Sequence, residues 1–145
     1  MDGRIMGRRF AIALLASALI APSLPAFAQA AKTRFTLGVA LPFSGAGQSY
    51  GNWGRRGVEL AVAEVNKSLE GWEIVAAFED TQNTPRQTIT ALQKLVGDGA
   101  KVVLTQNTAS ILAALPVARS ANVLLINTGA SGAQLAGQQG LFNSI

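Results

Sequence analysis

Two consecutive stretches, Phe35-Thr-Leu-Gly-Val-Ala-Leu41 and Pro42-Phe-Ser-Gly-Ala-Gly-Gln-Ser-Tyr-Gly-Asn52, carry most of the information about the architecture. The first is short, apolar and rich in residues that favour β-structure, so it predicts a strand that ends before Pro42. The second consists mainly of small and hydroxyl residues, which is typical of a loop. An amphipathic helix pattern begins near Asn52. A strand, a permissive loop and a helix form the opening unit of a parallel α/β layer.

The rest of the chain repeats this alternation. Apolar periodicity predicts helices over about 52–68, 84–96 and 111–121, a weak helix over 133–136, and strands over 72–79, 102–104, 123–126 and 141–142. Pro116 should kink the third helix or confine it to short pieces. Because crossovers between parallel strands are right-handed, this order predicts an α/β fold with a doubly wound, mostly parallel sheet.

The apolar patterns also predict which residues are buried. In the first helix one face carries Val58, Ala61, Val62, Val65 and Leu69. The continuous apolar runs 102–104 and 123–126 are typical of strands covered on both faces. The strand over 72–79 has charged ends, which favours a place near the sheet edge. Thr84-Pro-Arg-Gln87 has the pattern of a capping box at a helix start.

The composition excludes several classes of chemistry. The chain has 145 residues and contains neither Cys nor His. A disulfide, a thiol nucleophile, an imidazole base and a zinc site are therefore not expected, and we expect no metal and no cofactor. The net charge is +4. Three of the 12 basic residues and one of the 8 acidic ones precede residue 29, so the charge gives little support for a nucleic-acid partner.

Residues 1–28 have the pattern of a secretory signal peptide. Arg8 and Arg9 belong to a positive start, residues 11–21 are apolar, and Ala26-Phe27-Ala28 fits the cleavage rule. The apolar core is about half of the roughly 20 residues that span a bilayer, which favours a signal over an anchor. We expect a mature protein that starts at Gln29 in the periplasm. Ordinary secretion and the twin-arginine route both remain open.

Three loops rich in small and hydroxyl residues follow predicted strands, at 44–53, 105–110 and 127–131. In a doubly wound sheet they would meet at one edge, and each would lead into a helix whose first amides have no intrahelical partner. Such amides hold carboxylates or phosphates without a basic side chain. Hydroxyls at Thr108, Ser110 and Ser131 could add hydrogen bonds, although each could equally serve only as a helix cap.

Other motifs in these loops are weaker. No Gly-Lys-Ser/Thr follows the first strand, so a nucleotide triphosphatase is not predicted, and Gly45-Ala-Gly47 lacks the third glycine of a dinucleotide fingerprint. Gly51, Gly54 and Gly57 recur every three residues, which indicates close packing at the helix start. Glu79 and Asp80 are more typical of a solvated edge than of an acid/base pair.

These residues are similar to a known family. Leu41-Pro-Phe-Ser-Gly-Ala-Gly-Gln-Ser-Tyr-Gly51 and Gly57-Val-Glu-Leu-Ala-Val-Ala-Glu-Val-Asn66 resemble the opening of the periplasmic leucine/isoleucine/valine-binding proteins, the type I solute receptors of ABC importers. Two later segments, 79–96 and 107–118, fit the same family in the same order. The resemblance covers residues 34–145.

The resemblance implies two α/β lobes joined by a hinge, with an amino acid (branched-chain type) or a related small carboxylate bound between them. Residues 29–145 would form part of the N-terminal lobe, without the hinge and second lobe. By position, Thr108 resembles the residue that binds the ligand carboxylate, Gly129 one that binds through its backbone, Ser131 a ligand-binding hydroxyl and Tyr50 an aromatic of the side-chain pocket. Asn127-Thr128 departs from the Ser-Pro that is frequent in the family.

The function that follows is a non-enzymatic solute-binding component of an ABC importer, with the importer's membrane subunits as partners. A sensor or regulator built on the same lobe is the alternative, and the predicted export signal argues against it. A secreted hydrolase would need a nucleophile with a His partner, and the chain has no His.

Overall fold

The computed structural model describes residues 31–144, so the signal peptide predicted for residues 1–28 lies outside the described residues. In chain order the elements are β1 (Thr33–Leu41), α1 (Gln48–Ser68), β2 (Trp72–Asp80), α2 (Pro85–Gly97), β3 (Val102–Thr105), α3 (Thr108–Ser120), β4 (Leu124–Asn127), a short 3₁₀ helix (Ala133–Leu135) and β5 (Leu141–Asn143). The predicted alternation of strands and helices is confirmed.

The strands form one sheet in the order β2-β1-β3-β4-β5, and every neighbouring pair is parallel. The chain leaves β1 in one direction to reach β2, then crosses back past β1 to β3 and continues to β4 and β5. Right-handed crossovers therefore place α1 on one face of the sheet and α2 and α3 on the other. This is the predicted doubly wound arrangement, with β2 at an edge as expected.

The main hydrophobic core lies between the sheet and the pair α2 and α3. It contains Leu92 and Leu95 of α2, Ile111 and Leu115 of α3, and Val103 and Leu125 of the sheet. The α2 start has the predicted cap, because Thr84 Oγ1 accepts a hydrogen bond from the Gln87 amide at 3.3 Å. Helix α3 runs unbroken through Pro116, so the prediction of short pieces is wrong. Four buried residues of α3 flank Pro116 in sequence and hold the helix against the sheet despite the missing amide (Ile111, Ala114, Leu115 and Ala118).

The opposite face is only partly covered. Phe78, Val39, Leu104, Ile126 and Phe142 are register partners across the five strands and so point to the same side. Val39 lies on the strand that α1 covers and is 0% exposed, whereas Phe142 on β5 is 58% exposed. Among residues 31–144, α1 packs on β2 and β1 and leaves the outer side of β3, β4 and β5 open.

This open side corrects two burial predictions. Leu124 of β4 is 41% exposed and Leu104 of β3 is half-buried, so these strands are not covered on both faces. In α1, Ala61 and Val65 are exposed, whereas Val58, Val62 and Leu69 are half-buried. The apolar pattern identified the correct face of the sheet. However, α1 packs on only two of the five strands and cannot cover all of the apolar surface.

Helix α1 begins at Gln48, four residues before the predicted start near Asn52. Its first residues pack closely on the end of β1. A Cβ at Gly51 would lie 1.8 Å from the Pro42 carbonyl oxygen, and one at Gly54 would lie 2.5 Å from Leu41 Cδ1. The predicted close packing is therefore confirmed for these two glycines. It is wrong for Gly57, where a Cβ would meet no described atom within 4 Å.

Candidate functional site

The carboxyl ends of β1, β3 and β4 lie side by side. Ala40 is in register with Thr105, and Thr105 with Asn127. The three loops that follow these strands therefore meet at one edge of the sheet, as the sequence predicts. In open parallel sheets ligands bind beyond this edge, where the chain reverses its direction across the sheet.

The loop after β1 is fastened to the end of β2 by Asp80. The Asp80 carboxylate accepts hydrogen bonds from the Phe43 amide at 2.8 Å, from the Ser44 amide at 3.2 Å and from the Ser44 hydroxyl at 2.5 Å. It also accepts one from the Gln82 amide at 2.9 Å. Burial acts to raise the pKa of Asp80, but the Ser44 hydroxyl and the three amides outweigh it and lower the pKa below its ordinary value. Asp80 is therefore a charged residue that joins the loop after β1 to the loop after β2. The interpretation of Glu79 and Asp80 as a solvated edge did not predict this role.

Tyr50 lies in the first turn of α1 rather than in the loop before it. Its ring meets Trp53 edge to face, with centroids 5.5 Å apart, and its side chain is 64% exposed. Gly47 precedes the helix with φ 95° and gives it no side-chain cap. The tight left-handed turn at this glycine brings Tyr50 to the edge where the three loops meet.

The loop after β3 leads directly into α3. Asn107 Oδ1 caps the helix by accepting a hydrogen bond from the Ser110 amide at 3.2 Å. Thr108 is the first helical residue, and its amide and that of Ala109 have no intrahelical partner because they belong to the first turn. Ser110 is 1% exposed. Its hydroxyl is therefore closed to solvent, which favours a structural role over the ligand contact that the sequence left open.

The loop after β4 is built around the side chain of Asn127, which is 1% exposed. Its Oδ1 accepts hydrogen bonds from the amides of Gly129 at 3.1 Å and Ala130 at 2.7 Å. Its Nδ2 donates to the Ala130 carbonyl at 2.6 Å and to Asn143 Oδ1 at 3.0 Å. One buried carboxamide thus sets the course of the loop.

Two concavities open at this edge. The larger, of about 390 Å³, is lined by Ala130, Ser131, Gly132, Leu135, Ala136 and Asn143. The smaller, of about 230 Å³, is lined by Tyr50, Asn83, Gln106, Asn107 and Gly129.

The four predicted site residues all lie at this edge, but they do not line one concavity. Tyr50 and Gly129 line the smaller and Ser131 the larger. Thr108 lines neither. Its side chain lies so close to Gly132 that a Cβ there would be 2.4 Å from Thr108 Cγ2. Thr108 is thus next to the larger concavity in space and follows Asn107, which lines the smaller.

Sequence reasoning missed three carboxamides, those of Asn83, Gln106 and Asn107. Asn107 Nδ2 donates to Asn83 Oδ1 at 3.0 Å, joining the loops after β2 and β3. The backbones of Asn83 and Asn107 both have positive φ, of 57° and 74°. Asn adopts positive φ more often than most residues other than glycine. The signal in the sequence was an Asn in each loop, four residues after the predicted strand 72–79 and three after the predicted strand 102–104, although it does not reveal that the two side chains meet.

Across residues 31–144 no cluster of acidic side chains could hold a metal ion. No helix in that range is both long and apolar enough to cross a bilayer.

Residues 34–144 match the family model described as "Periplasmic binding protein". The Leu/Ile/Val-binding protein homolog 3 of Brucella melitensis is 33% identical over 125 residues, which cover 84% of this chain and 34% of that protein. The Leu/Ile/Val-binding protein BraC3 of Rhizobium johnstonii is 34% identical over 94 residues, or 63% of this chain and 25% of that protein. The chain thus spans about a third of the length of the first relative.

Solved structures share the fold. LivJ from Streptococcus pneumoniae, a branched-chain amino acid transporter substrate-binding protein in complex with isoleucine, has a TM-score of 0.70 and 26% identity, and covers 77% of this chain and 33% of its own. A solute-binding protein from Rhodopseudomonas palustris BisB5, in complex with 3,4-dihydroxy benzoic acid, has a TM-score of 0.69 and 23% identity, and covers 76% of this chain and 31% of its own. Sequence and fold agree over the same residues, and this chain belongs to the periplasmic binding protein family.

Proposed function

We propose that this chain is the solute-binding component of an ABC importer and that it binds an amino acid or a related small carboxylate in the periplasm. The observation that supports this most directly is the meeting of three loops at one sheet edge, with the start of α3 among them. The helix start carries partial positive charge and unpaired amides, which suit an anionic ligand.

Each predicted site residue has a role in this proposal. The amides of Thr108 and Ala109, with the Thr108 hydroxyl, would receive the carboxylate. The Gly129 amide already donates to Asn127, so its carbonyl is the group available to a ligand ammonium. Ser131 is exposed beside the larger concavity and would offer its hydroxyl. Tyr50 would cover the ligand from the α1 side.

The similar proteins support a carboxylate as the shared feature of the ligand. The relatives are named for leucine, isoleucine and valine, and the two solved structures hold isoleucine and a dihydroxybenzoic acid. These molecules differ in their side groups but share a carboxyl group. Binding without chemical change also fits a chain that has no His or Cys to act as base or nucleophile.

The proposed partners and location follow from the same role. A receptor of this kind delivers its ligand to the membrane subunits of the importer, and it must be exported to do so. Residues 1–28 remain a predicted signal peptide, which places the protein in the periplasm after cleavage.

The experiment that tests the function is isothermal titration calorimetry of the full-length gene product against amino acids and small carboxylates. Thr108→Ala and Ser131→Ala should each raise the dissociation constant about tenfold to hundredfold. A hydrogen bond to a charged ligand group contributes roughly 1.5–3 kcal/mol.

Two other hydroxyls provide matched controls. Thr90 and Ser120 are exposed and bond only to carbonyls of their own helices, so Thr90→Ala and Ser120→Ala should leave affinity unchanged. If Thr108 and Ser131 act only as structural residues, their replacement would lower the melting temperature and leave the affinity intact. That result would remove both from the site.

A further inference from the structure

The lining of the smaller concavity contrasts with the aliphatic amino acids for which the relatives are named. Of its five lining residues, three contribute carboxamides, one a phenol and one only backbone. No aliphatic and no charged side chain is among them. Such a pocket is polar and neutral, and this decides which side groups it can accept.

Two of the three carboxamides, those of Asn83 and Asn107, are held in place by a hydrogen bond to each other. Asn107 uses both ends of its side chain, because Oδ1 caps α3 and Nδ2 donates to Asn83 Oδ1. Asn83 in turn donates its backbone amide to Thr81 Oγ1 at 3.4 Å. The positive φ angles of Asn83 and Asn107 are costly, and such conformations concentrate at functional sites. The pair is therefore a fixed part of the pocket wall.

Some hydrogen-bonding capacity remains unused at this wall. Within residues 31–144, Asn83 Nδ2 and both ends of the Gln106 carboxamide make no hydrogen bond. The Gln106 side chain lies beside Gly129, where a Cβ would be 3.6 Å from Gln106 Oε1. Asn83 Nδ2 lies on the side of Gly47, where a Cβ would be 3.6 Å away. The lining of the pocket thus contains both a free carboxamide, that of Gln106 next to Gly129, and a further free donor, that of Asn83.

We propose that this pocket selects carboxylates whose other end carries a neutral hydrogen-bonding group, a hydroxyl or a carboxamide, over branched aliphatic ones. This inference rests on the proposed function, since it assumes that the carboxylate binds at the start of α3. Gln106 and Asn107 directly precede Thr108, so the side group of a ligand held there lies within reach of the pocket.

The physical basis is the cost of unpaired polar groups. An aliphatic side group would remove water from Asn83 and Gln106 and give no hydrogen bond in return, and each group left unpaired lowers affinity by about tenfold. Sites built to bond a hydroxyl reject analogues that lack it for this reason. A charged side group would also be disfavoured, because the lining offers no counter-charge.

The test is calorimetry of the full-length gene product with matched pairs that share a carboxylate and nearly the same size. Suitable pairs are threonine with valine, asparagine with leucine, and 4-hydroxybenzoate with benzoate. In at least one pair the polar member should bind about tenfold more tightly. Gln106→Met keeps the length of the side chain and should reduce that preference by about tenfold. Gln93→Met, at an exposed position of α2, is the control and should not change it.

The outcomes separate the two proposals. Equal or tighter binding of valine, leucine and benzoate than of their polar partners, in all three pairs, would overturn the inference and leave the solute-binding function standing. An unchanged preference in Gln106→Met would overturn the assignment to this pocket. No binding by any pair, or by the other amino acids and small carboxylates of the screen, would overturn the proposed function itself.

Discussion

The two faces of the sheet hold their helices by different means. Helices α2 and α3 are attached by buried apolar side chains, among them Leu92, Leu95 and Ile111, which are at most 1% exposed. In α1 only Gly51 is buried. The apolar residues Val58 and Val62 of that helix, and Leu69 at its C-terminal cap, are only half-buried, and polar contacts add to them. Asn66 makes two hydrogen bonds of 2.8 Å to the backbone of Ile74, and the Arg55 guanidinium lies 4.2 Å from the Phe78 ring centroid.

This difference shows that an apolar pattern in the sequence does not by itself determine which residues are buried in the fold. The apolar face of α2 contributes two fully buried leucines, Leu92 and Leu95, whereas the predicted apolar face of α1 leaves Ala61 and Val65 exposed. Both helices have an apolar face. Only the face that meets a second helix and several strands becomes a core.

The largest expected effect compares a leucine from each side of the sheet. Leu95→Ala should lower the free energy of unfolding by about 2–5 kcal/mol, because it leaves a cavity in the core. Leu124→Ala, on the open side of β4, should cost less than about 1 kcal/mol. Chemical denaturation of the 145-residue chain measures both. Equal losses would mean that the outer side of β4 is covered in solution, and the comparison would fail.

The next prediction compares alanine substitutions at two glycines of α1, which should change the stability in opposite directions. Gly51→Ala would place a methyl group 1.8 Å from the Pro42 carbonyl oxygen, so the start of α1 must move away from β1. The expected loss is about 1–3 kcal/mol. Gly57→Ala meets nothing and should stabilise the helix by about 0.5–1 kcal/mol, because alanine is the better helix former. Melting temperatures should therefore move in opposite directions. A fall in both would show that α1 packs on something at Gly57 as well.

Much of the fold could be predicted from the sequence because it depends on local patterns. Strand and helix order, the parallel sheet and the Thr84 cap all follow from periodicity and turn residues. The early start of α1 could not be predicted, because Gly47 lacks the capping side chain that usually marks a helix start. The continuity of α3 through Pro116 depends on packing between elements, which a single segment does not reveal.

The features of the site also divide into those that the sequence predicts and those that it does not. The meeting of three loops could be predicted, since topology alone brings the carboxyl ends of parallel strands together. The pair Asn83 and Asn107 could not, because its hydrogen bond joins residues 24 positions apart. Asp80 was visible in the sequence, but its four donors come from two loops whose contact only the folded chain creates.

The smallest expected effect tests whether the charge of Asp80 helps to hold the loop after β1, on the α1 side of the sheet. Asp80→Asn should cost roughly 1 kcal/mol near neutral pH, since Asn keeps an acceptor but loses the charge, and the site is partly exposed. The pKa of Asp80 lies below its ordinary value of 3.8 in the folded chain. Its charge therefore stabilises the fold above that value, and the contribution is lost as the pH falls through the folded pKa. Denaturation of wild type and variant should give stabilities that converge below about pH 4.

A control makes the Asp80 result specific. Asp98→Asn removes the same charge from an exposed position at the C-terminal end of α2, and it should give no comparable loss at neutral pH. The loss caused by Leu95→Ala arises from apolar packing alone and should persist where that of Asp80→Asn disappears. If the Asp80→Asn loss persists in acid instead, the hydrogen-bonding shape of the side chain, and not its charge, fastens the loop after β1. The two sides of the sheet would then differ only in the amount of apolar surface that they bury.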